Sequence, residues 1–188
     1  VVSTREGSTS EVLFRTYQSA EESYNLTIWE ACRATSAAPL FFEAIEVGKS
    51  PLVKFVDGGL GKNNPVNLVV REARSLWPTR PFAVVVSLGT GKPQMKPVGT
   101  KATEVIATCI RLAIDAENTT REFREQQPHM VQMHKYFRFN VEQGLQGVGM
   151  EEWKTLGSIV EPATEAYLNE AQGEVEACAG VLQNPSSQ

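Results

Sequence analysis

The sequence predicts an α/β protein, a three-layer sandwich with a mostly parallel central sheet. Three observations carry this. Runs of apolar and β-branched residues at Val1–Thr4, Val12–Tyr17, Lys54–Val56 and Phe82–Leu88 read as strands. Segments of helical character lie between and after them, and strands alternating with helices pack as a sheet covered on both faces. The run Phe82-Ala83-Val84-Val85-Val86-Ser87-Leu88 is continuously apolar except for one serine, as expected of a central strand buried on both sides.

Val1-Val2-Ser3-Thr4 reads as the end of a strand and Arg5–Glu11 as a loop, with Val12–Tyr17 as the next strand. Leu26–Ser36 reads as a helix, brought to its end by Pro39. Leu52–Val56 is a short apolar strand that closes on Asp57-Gly58-Gly59, where two residues without side chains permit a sharp turn and a close approach by another group. Gly61-Lys62-Asn63-Asn64-Pro65 is a second turn. In it Asn64 suits a helix N-cap and Pro65 a first helical position, opening a helix over Val66–Leu76. After the strand at Phe82–Leu88, Gly89-Thr90-Gly91-Lys92-Pro93 turns away from the sheet.

Ala102–Gln126 places Val105, Ile106, Cys109, Ile110 and Ala113 on one helical face. Phe137–Val141 reads as an edge strand and Glu151–Leu156 as a short helix. Pro162 opens a last helix in which Leu168, Ala171, Val175, Cys178 and Leu182 recur at steps of three and four. That stripe packs on the sheet or, alternatively, docks a further domain of the same polypeptide.

The candidate site is the turn after the third strand. Open α/β sheets place their reacting groups at the carboxyl ends of strands, and Asp57 stands at such an end. The same residues also fit an ordinary strand–turn–helix with a solvated carboxylate. Gly89-Thr90-Gly91-Lys92 lacks the spacing of a phosphate-binding loop, because Pro93 follows the lysine directly.

Composition narrows the partners. The chain has 188 residues, of which 41% are hydrophobic and 21% charged, which fits a folded globular protein rather than a disordered one. Its net charge of −4 argues against nucleic acid, which needs clustered Lys and Arg. No apolar run approaches the roughly 20 residues of a membrane-spanning helix. Cys32, Cys109 and Cys178 are an odd, widely spaced set that predicts reduced thiols in an intracellular, cytoplasmic setting, soluble or peripheral to membranes. Cys32 and Cys109 are expected to pack in the core. His129 and His134 stand five apart with no further ligand at a recognised spacing, so no metal is expected and no cofactor is implied.

Taken together, A-C-R-A-T-S-A-A-P-L-F-F from Ala31, V-D-G-G-L-x-x-N-N-P from Val56 and V-V-S-L-G-T-G-K from Val85 resemble the patatin-like phospholipases, including the calcium-independent phospholipases. Tyr136-Phe137-Arg138-Phe139-Asn140-Val141, Gly144-Leu145 and Met150-Glu151-Glu152-Trp153 are similar to the patatin-like domains of large fungal multidomain proteins. The resemblance implies a lipid acyl hydrolase of the phospholipase A type. In that family a serine in a G-x-S-x-G turn attacks the ester, the aspartate of the D-G-G turn is its base, and an upstream glycine-rich turn holds the oxyanion. Asp57 matches that aspartate, with Gly58 and Gly59 as the active-site turn. It implies no calcium and gives the S-L-G-T-G segment a structural role.

No G-x-S-x-G occurs in these 188 residues, and the family places that serine upstream of the D-G-G turn. The expectation is therefore that residues 1–183 are the C-terminal half of a patatin-like catalytic domain and that residues 184–188 begin a linker. Its substrate would be a phospholipid or other acyl ester at a membrane or micelle surface, and the chain alone would be inactive. The alternative is a non-catalytic interaction or regulatory module of patatin-like shape.

Overall fold

In a computed structural model of the chain, residues 1–8, 10–19, 21, 24–39, 41–48, 51–92, 103–145, 148 and 153–184 are described, with the backbone alone for 103–114 and 153. The elements in order are β1 (Val2–Arg5), β2 (Glu11–Leu13), α1 (Ile28–Thr35), β3 (Ile45–Val47), β4 (Val53–Asp57), α2 (Gly59–Lys62), α3 (Val66–Leu76), β5 (Val85–Leu88), α4 (Thr103–Gln126), α5 (Pro128–Gln132) and β6 (Tyr136–Phe139). A 3-10 turn at Trp153–Thr155 and a π-helical turn at Leu156–Val160 lead into α6 (Glu161–Glu170) and α7 (Gln172–Gln183). Two compact units result, one of Val1–Pro65 with Glu104–Ala116, the other of Val66–Thr103 with Glu117–Gln188.

The first unit holds a four-stranded sheet in the order β2-β1-β4-β3. Every pairing in it is antiparallel: Ser3 stands opposite Val12 on one side and Asp57 on the other, and Ile45 stands opposite Phe55. The class is α/β, but the expected mostly parallel sheet is not what these strands form. For the β1–β2 and β3–β4 pairs the connections supply the reason. Residues 6–10 join β1 to β2 and residues 48–52 join β3 to β4, and links this short close hairpins, whereas parallel neighbours need a crossover of a dozen or more residues. Gly48 sits in the second link at φ +110°, a conformation that favours glycine.

β2 is shorter than the run Val12–Tyr17 suggested, because its register with β1 runs out where Leu13 meets Val2, with Val1 and Phe14 exchanging one further pair of backbone bonds at 2.9 Å. One face of the sheet is closed by α1. Phe14, Ala34, Val47 and Phe55 form the buried core there, and Phe55 meets the Phe14 and Tyr24 rings edge-on at 5.1 and 5.2 Å.

The second unit holds a two-stranded sheet in which β5 and β6 run parallel, with Val85 opposite Tyr136 and Leu88 opposite Phe139. The connection through α4 and α5 is long enough for that direction. Its core gathers Val66 and Val70 of α3, Val85, Phe123, Met130 and Tyr136. β5 alternates instead of burying both faces: Val85 and Ser87 are buried, whereas Val86 is 39% and Leu88 73% exposed.

α3 has the bounds that Asn64 and Pro65 predicted. α4 runs over Thr103–Gln126; the expected first residue, Ala102, lies outside the described residues, and the apolar face expected at the helix start lies among residues whose side chains are outside the description. The expected helix at Glu151–Leu156 is, in its described part, the 3-10 turn running into the π turn. The last helix is two helices, broken at Ala171 (φ −90°, ψ 14°) just before Gly173. The break shifts the packing face, so that Cys178 and Val181 are buried while Leu168 and Leu182 of the expected stripe are exposed. Residues 185–188 lie outside the described residues.

Candidate active site

Asp57 is the last residue of β4, and three local features fix it. Its backbone N–H donates to the carbonyl of Ala37 at 3.0 Å, which ties the strand end to the turn following α1. Across the sheet it pairs with Ser3, whose hydroxyl donates to the carbonyl of Val56 at 2.6 Å and to that of Ala34 at 3.2 Å. The Thr35 hydroxyl donates to the carbonyl of Val2. Side-chain hydroxyls thus staple α1 to β1 and β1 to β4, the two strands that carry the site. The fully buried Ala34 and Ala37 fit where a larger side chain would hold the helix off the sheet. These small residues belong to the R-A-T-S-A-A-P stretch, and their packing gives that stretch a structural meaning.

Gly58 follows with ordinary helical angles, φ −67° and ψ −16°, so conformational freedom is not what it provides. It provides absence of bulk, since a Cβ here would lie 2.4 Å from the Val2 carbonyl oxygen. Gly59 begins α2, a single turn interrupted at Leu60 and Gly61, and its N–H donates to Asp57 Oδ1 at 2.7 Å.

Asp57 is half-buried, and among the described residues Gly59 is the one donor to its carboxylate. Burial pushes the carboxyl above its ordinary value, and the Gly59 bond opposes that push without cancelling it. The folded state therefore binds this proton more tightly than the unfolded chain does. Asp57 contributes to stability below its unfolded pKa, and that contribution is lost as pH rises through the folded pKa. Asp57→Asn keeps the acceptor for Gly59 and removes the charge. Urea unfolding should find the variant at least as stable as wild type at about pH 7, with the margin shrinking as pH falls through the carboxylate range near ~4. A wild type that is the more stable of the two at neutral pH, by a margin growing with pH, would contradict this assignment of the shift.

A cavity of about 910 Å³ opens on the same unit, lined by Thr4, Arg5, Phe42, Lys54, Val56 and Leu60 among others. Asp57 is not in its lining. Side chains alternate along a strand, so Lys54 and Val56 face this cavity while Phe55 and Asp57 face α1. The cavity flanks the candidate site and does not contain it.

Other sequence candidates fall elsewhere. Gly89-Thr90-Gly91-Lys92 is a pinned turn in the second unit, where Asn140 Oδ1 accepts the Gly91 N–H at 2.7 Å and its amide donates to Glu117 at 2.9 Å. Lys92 is held by Glu142 and Glu117, which keep its ammonium above its ordinary pKa. A lysine engaged by two carboxylates is poorly placed to take a phosphate. Cys178 is buried as a core thiol would be, but Cys32 is exposed, contrary to the core role expected of it; Cys109 lies where only the backbone is described. α1 turns Cys32 outward while Ala34 takes the inward position. His129 and His134 are both exposed, and among the described residues no group of three ligating side chains could hold a metal. No described helix is long and apolar enough to cross a membrane.

Comparison with known proteins places this geometry in context. Residues 3–70, which include Asp57, Gly58 and Gly59, match the family model described as Patatin-like phospholipase. The chain is similar to Calcium-independent phospholipase A2-gamma of Mus musculus and of Homo sapiens, 34% identical over 113 residues in both cases, which is 60% of this chain and 14% of those proteins. It is also similar to Phospholipase A I of Arabidopsis thaliana, 28% identical over 141 residues, which is 71% of this chain and 10% of that protein. The chain thus spans a small part of the length of the relatives it matches, and the resemblance read from its motifs is present over residues 3–70.

Proposed function

We propose that this patatin-like stretch supplies the general base of a serine-dependent lipid acyl hydrolase of the phospholipase A type. Asp57 is the base, Gly58 and Gly59 form the turn that holds it, and the serine comes from outside these 188 residues. The observation that carries this reading is the state of Asp57. It is a half-buried carboxylate at a strand end, with one backbone donor and a raised pKa, inside the residues that match a phospholipase family.

A serine hydroxyl is a weak nucleophile until a neighbour takes its proton. An ordinary carboxylate, with a pKa near ~4, is a poor acceptor at neutral pH, and burial moves Asp57 in the useful direction. In the proposed reaction Asp57 takes the hydroxyl proton as the serine oxygen bonds to the ester carbonyl carbon. It then returns that proton to the departing alcohol as the ester C–O bond breaks. A water, deprotonated by the same carboxylate, releases the acyl group as a fatty acid and restores the serine. Backbone donors to the oxyanion, each worth roughly 3–4 kcal/mol, would come with the serine segment.

On this reading residues 1–183 are the C-terminal half of a three-layer catalytic domain and residues 184–188 begin a linker. The substrate is a phospholipid or other acyl ester presented at a membrane or micelle surface, and neither cofactor nor nucleic acid is required. The absence of G-x-S-x-G from the 188 residues favours one second reading, a non-catalytic module of the same shape. The expected result for the 188-residue chain is no hydrolysis of dye-labelled phosphatidylcholine. Turnover by this folded chain that disappears in Asp57→Asn would overturn the claim that its serine lies elsewhere.

A further inference from the structure

Ser3 and Asp57 stand opposite each other in β1 and β4. Further along the same ladder the Glu6 N–H donates to the Lys54 carbonyl at 3.0 Å. Bonded and non-bonded pairs alternate in an antiparallel ladder, so Ser3 and Asp57, three pairs away, form a non-bonded pair, the kind whose side chains lie closest. Ser3 is wholly buried on that face, at 0% exposure. A hydroxyl free to turn there would donate to the neighbouring carboxylate and lower its pKa. Two carbonyls claim it instead, that of Val56 at 2.6 Å and that of Ala34 at 3.2 Å. The Ala34 carbonyl is open to the hydroxyl because α1 ends at Thr35, and the Ala38 N–H, four residues on, is bonded to Ser36 at 2.9 Å.

The peptide between Val56 and Asp57 is therefore held at both ends, its carbonyl by the Ser3 hydroxyl and its N–H by the Ala37 carbonyl at 3.0 Å. Ala37 in turn donates its N–H to the Ala34 carbonyl at 3.5 Å, so Ser3, Ala34, Ala37 and this peptide close a ring. The plane of the peptide sets the direction of the side chain on the Cα that follows it, and here that side chain is the Asp57 carboxylate. We propose that Ser3 is a positioning residue for Asp57: by tying the Val56 carbonyl to the end of α1, its hydroxyl fixes the direction in which the carboxylate meets the nucleophilic serine. The inference rests on the acyl-hydrolase reading above and adds to it a residue that touches neither that serine nor the substrate. Gly59 holds the carboxylate itself, and Ser3 holds the backbone behind it. Such control is worth having, because a misplacement of about 1 Å at a reacting group costs on the order of 100-fold in rate.

Two measurements test it. In the 188-residue chain the Asp57 carboxyl is titrated by carbon NMR, which needs no turnover. Ser3→Ala frees the peptide and admits water to the carboxylate, so the midpoint should fall by at least ~0.5 pH toward the ordinary carboxylate value. Val47→Ala truncates a core side chain 2% exposed in the same unit; it should lower stability and leave the midpoint within ~0.2 pH of wild type. In a polypeptide extended upstream to carry the serine, Ser3→Ala should lower kcat at least ~10-fold with KM within ~2-fold, whereas Val47→Ala should keep both. Ser3→Cys, close in size but a much weaker donor, carries the same expectations should Ser3→Ala fail to fold. An unmoved midpoint, an equal move in Val47→Ala, or an unchanged kcat in Ser3→Ala would each overturn the proposal. The two readings fail separately. Full turnover by Asp57→Asn would remove the base and with it the role of Ser3, whereas a loss in Asp57→Asn beside wild-type kcat in Ser3→Ala would keep the base and remove Ser3 alone.

Discussion

Gly58→Ala is expected to destabilise the chain by about 3 kcal/mol or more, a loss in the upper range for a single substitution. The added methyl would stand 2.4 Å from the carbonyl oxygen of Val2, 2.6 Å from its carbon and 3.0 Å from the nitrogen of Ser3. All three are backbone atoms of the strand paired with β4, so no side-chain rotation relieves the contact. Either β1 moves away, breaking the pairing of Ser3 with Asp57, or the turn after Asp57 reshapes. Gly59→Ala provides the contrast. There the methyl would meet Asp57 Oδ1 at 3.0 Å, a side-chain atom that can swing aside, so the cost to stability should stay below about 1 kcal/mol while the carboxylate is displaced. Urea denaturation of the two variants separates these cases. A Gly58→Ala variant as stable as wild type would mean that β1 and the turn are not in contact as described.

How much of this was legible in the sequence follows from how local each feature is. The helix Val66–Leu76 was readable because its start is written in two adjacent residues, Asn64 and Pro65. β4 and the position of Asp57 at its end were readable because an apolar run stops at two glycines. The direction of β1 against β4 was not readable, since it depends on which strands meet in space. β1 pairs with β4 across some fifty residues, and nothing in Val2–Arg5 records that its partner runs the other way. The short links around residues 6–10 and 48–52 did carry a signal, for they are too short to cross over.

Ile45-Glu46-Val47 (β3) is too short, at three residues, to read as a strand from the sequence, although it alternates and is followed by Gly48. The exposure of Val86 and Leu88 was hidden for a different reason. Both are apolar, and an apolar run gives no clue to which of its residues the neighbouring elements cover. The supports of Asp57 are not legible in the sequence. The hydroxyls of Ser3 and Thr35 reach carbonyls 53 and 33 residues away in the chain, contacts that no spacing rule predicts.

The central claim, that Asp57 is the base of a lipid acyl hydrolase, is tested most directly by turnover in a polypeptide extended upstream to carry a serine in a G-x-S-x-G turn. Asparagine at position 57 keeps the Oδ1 acceptor for the Gly59 N–H and the shape of the turn, and removes only the capacity to take a proton. Hydrolysis of a fluorogenic phosphatidylcholine would be compared between the extended wild type and Asp57→Asn, with unfolding curves to show that both are folded. The account predicts turnover by the wild type and a loss of at least ~100-fold in kcat/KM for the variant. Equal turnover by the two would contradict the role of Asp57, and equal silence of the two on several lipid classes would leave the non-catalytic module as the better description.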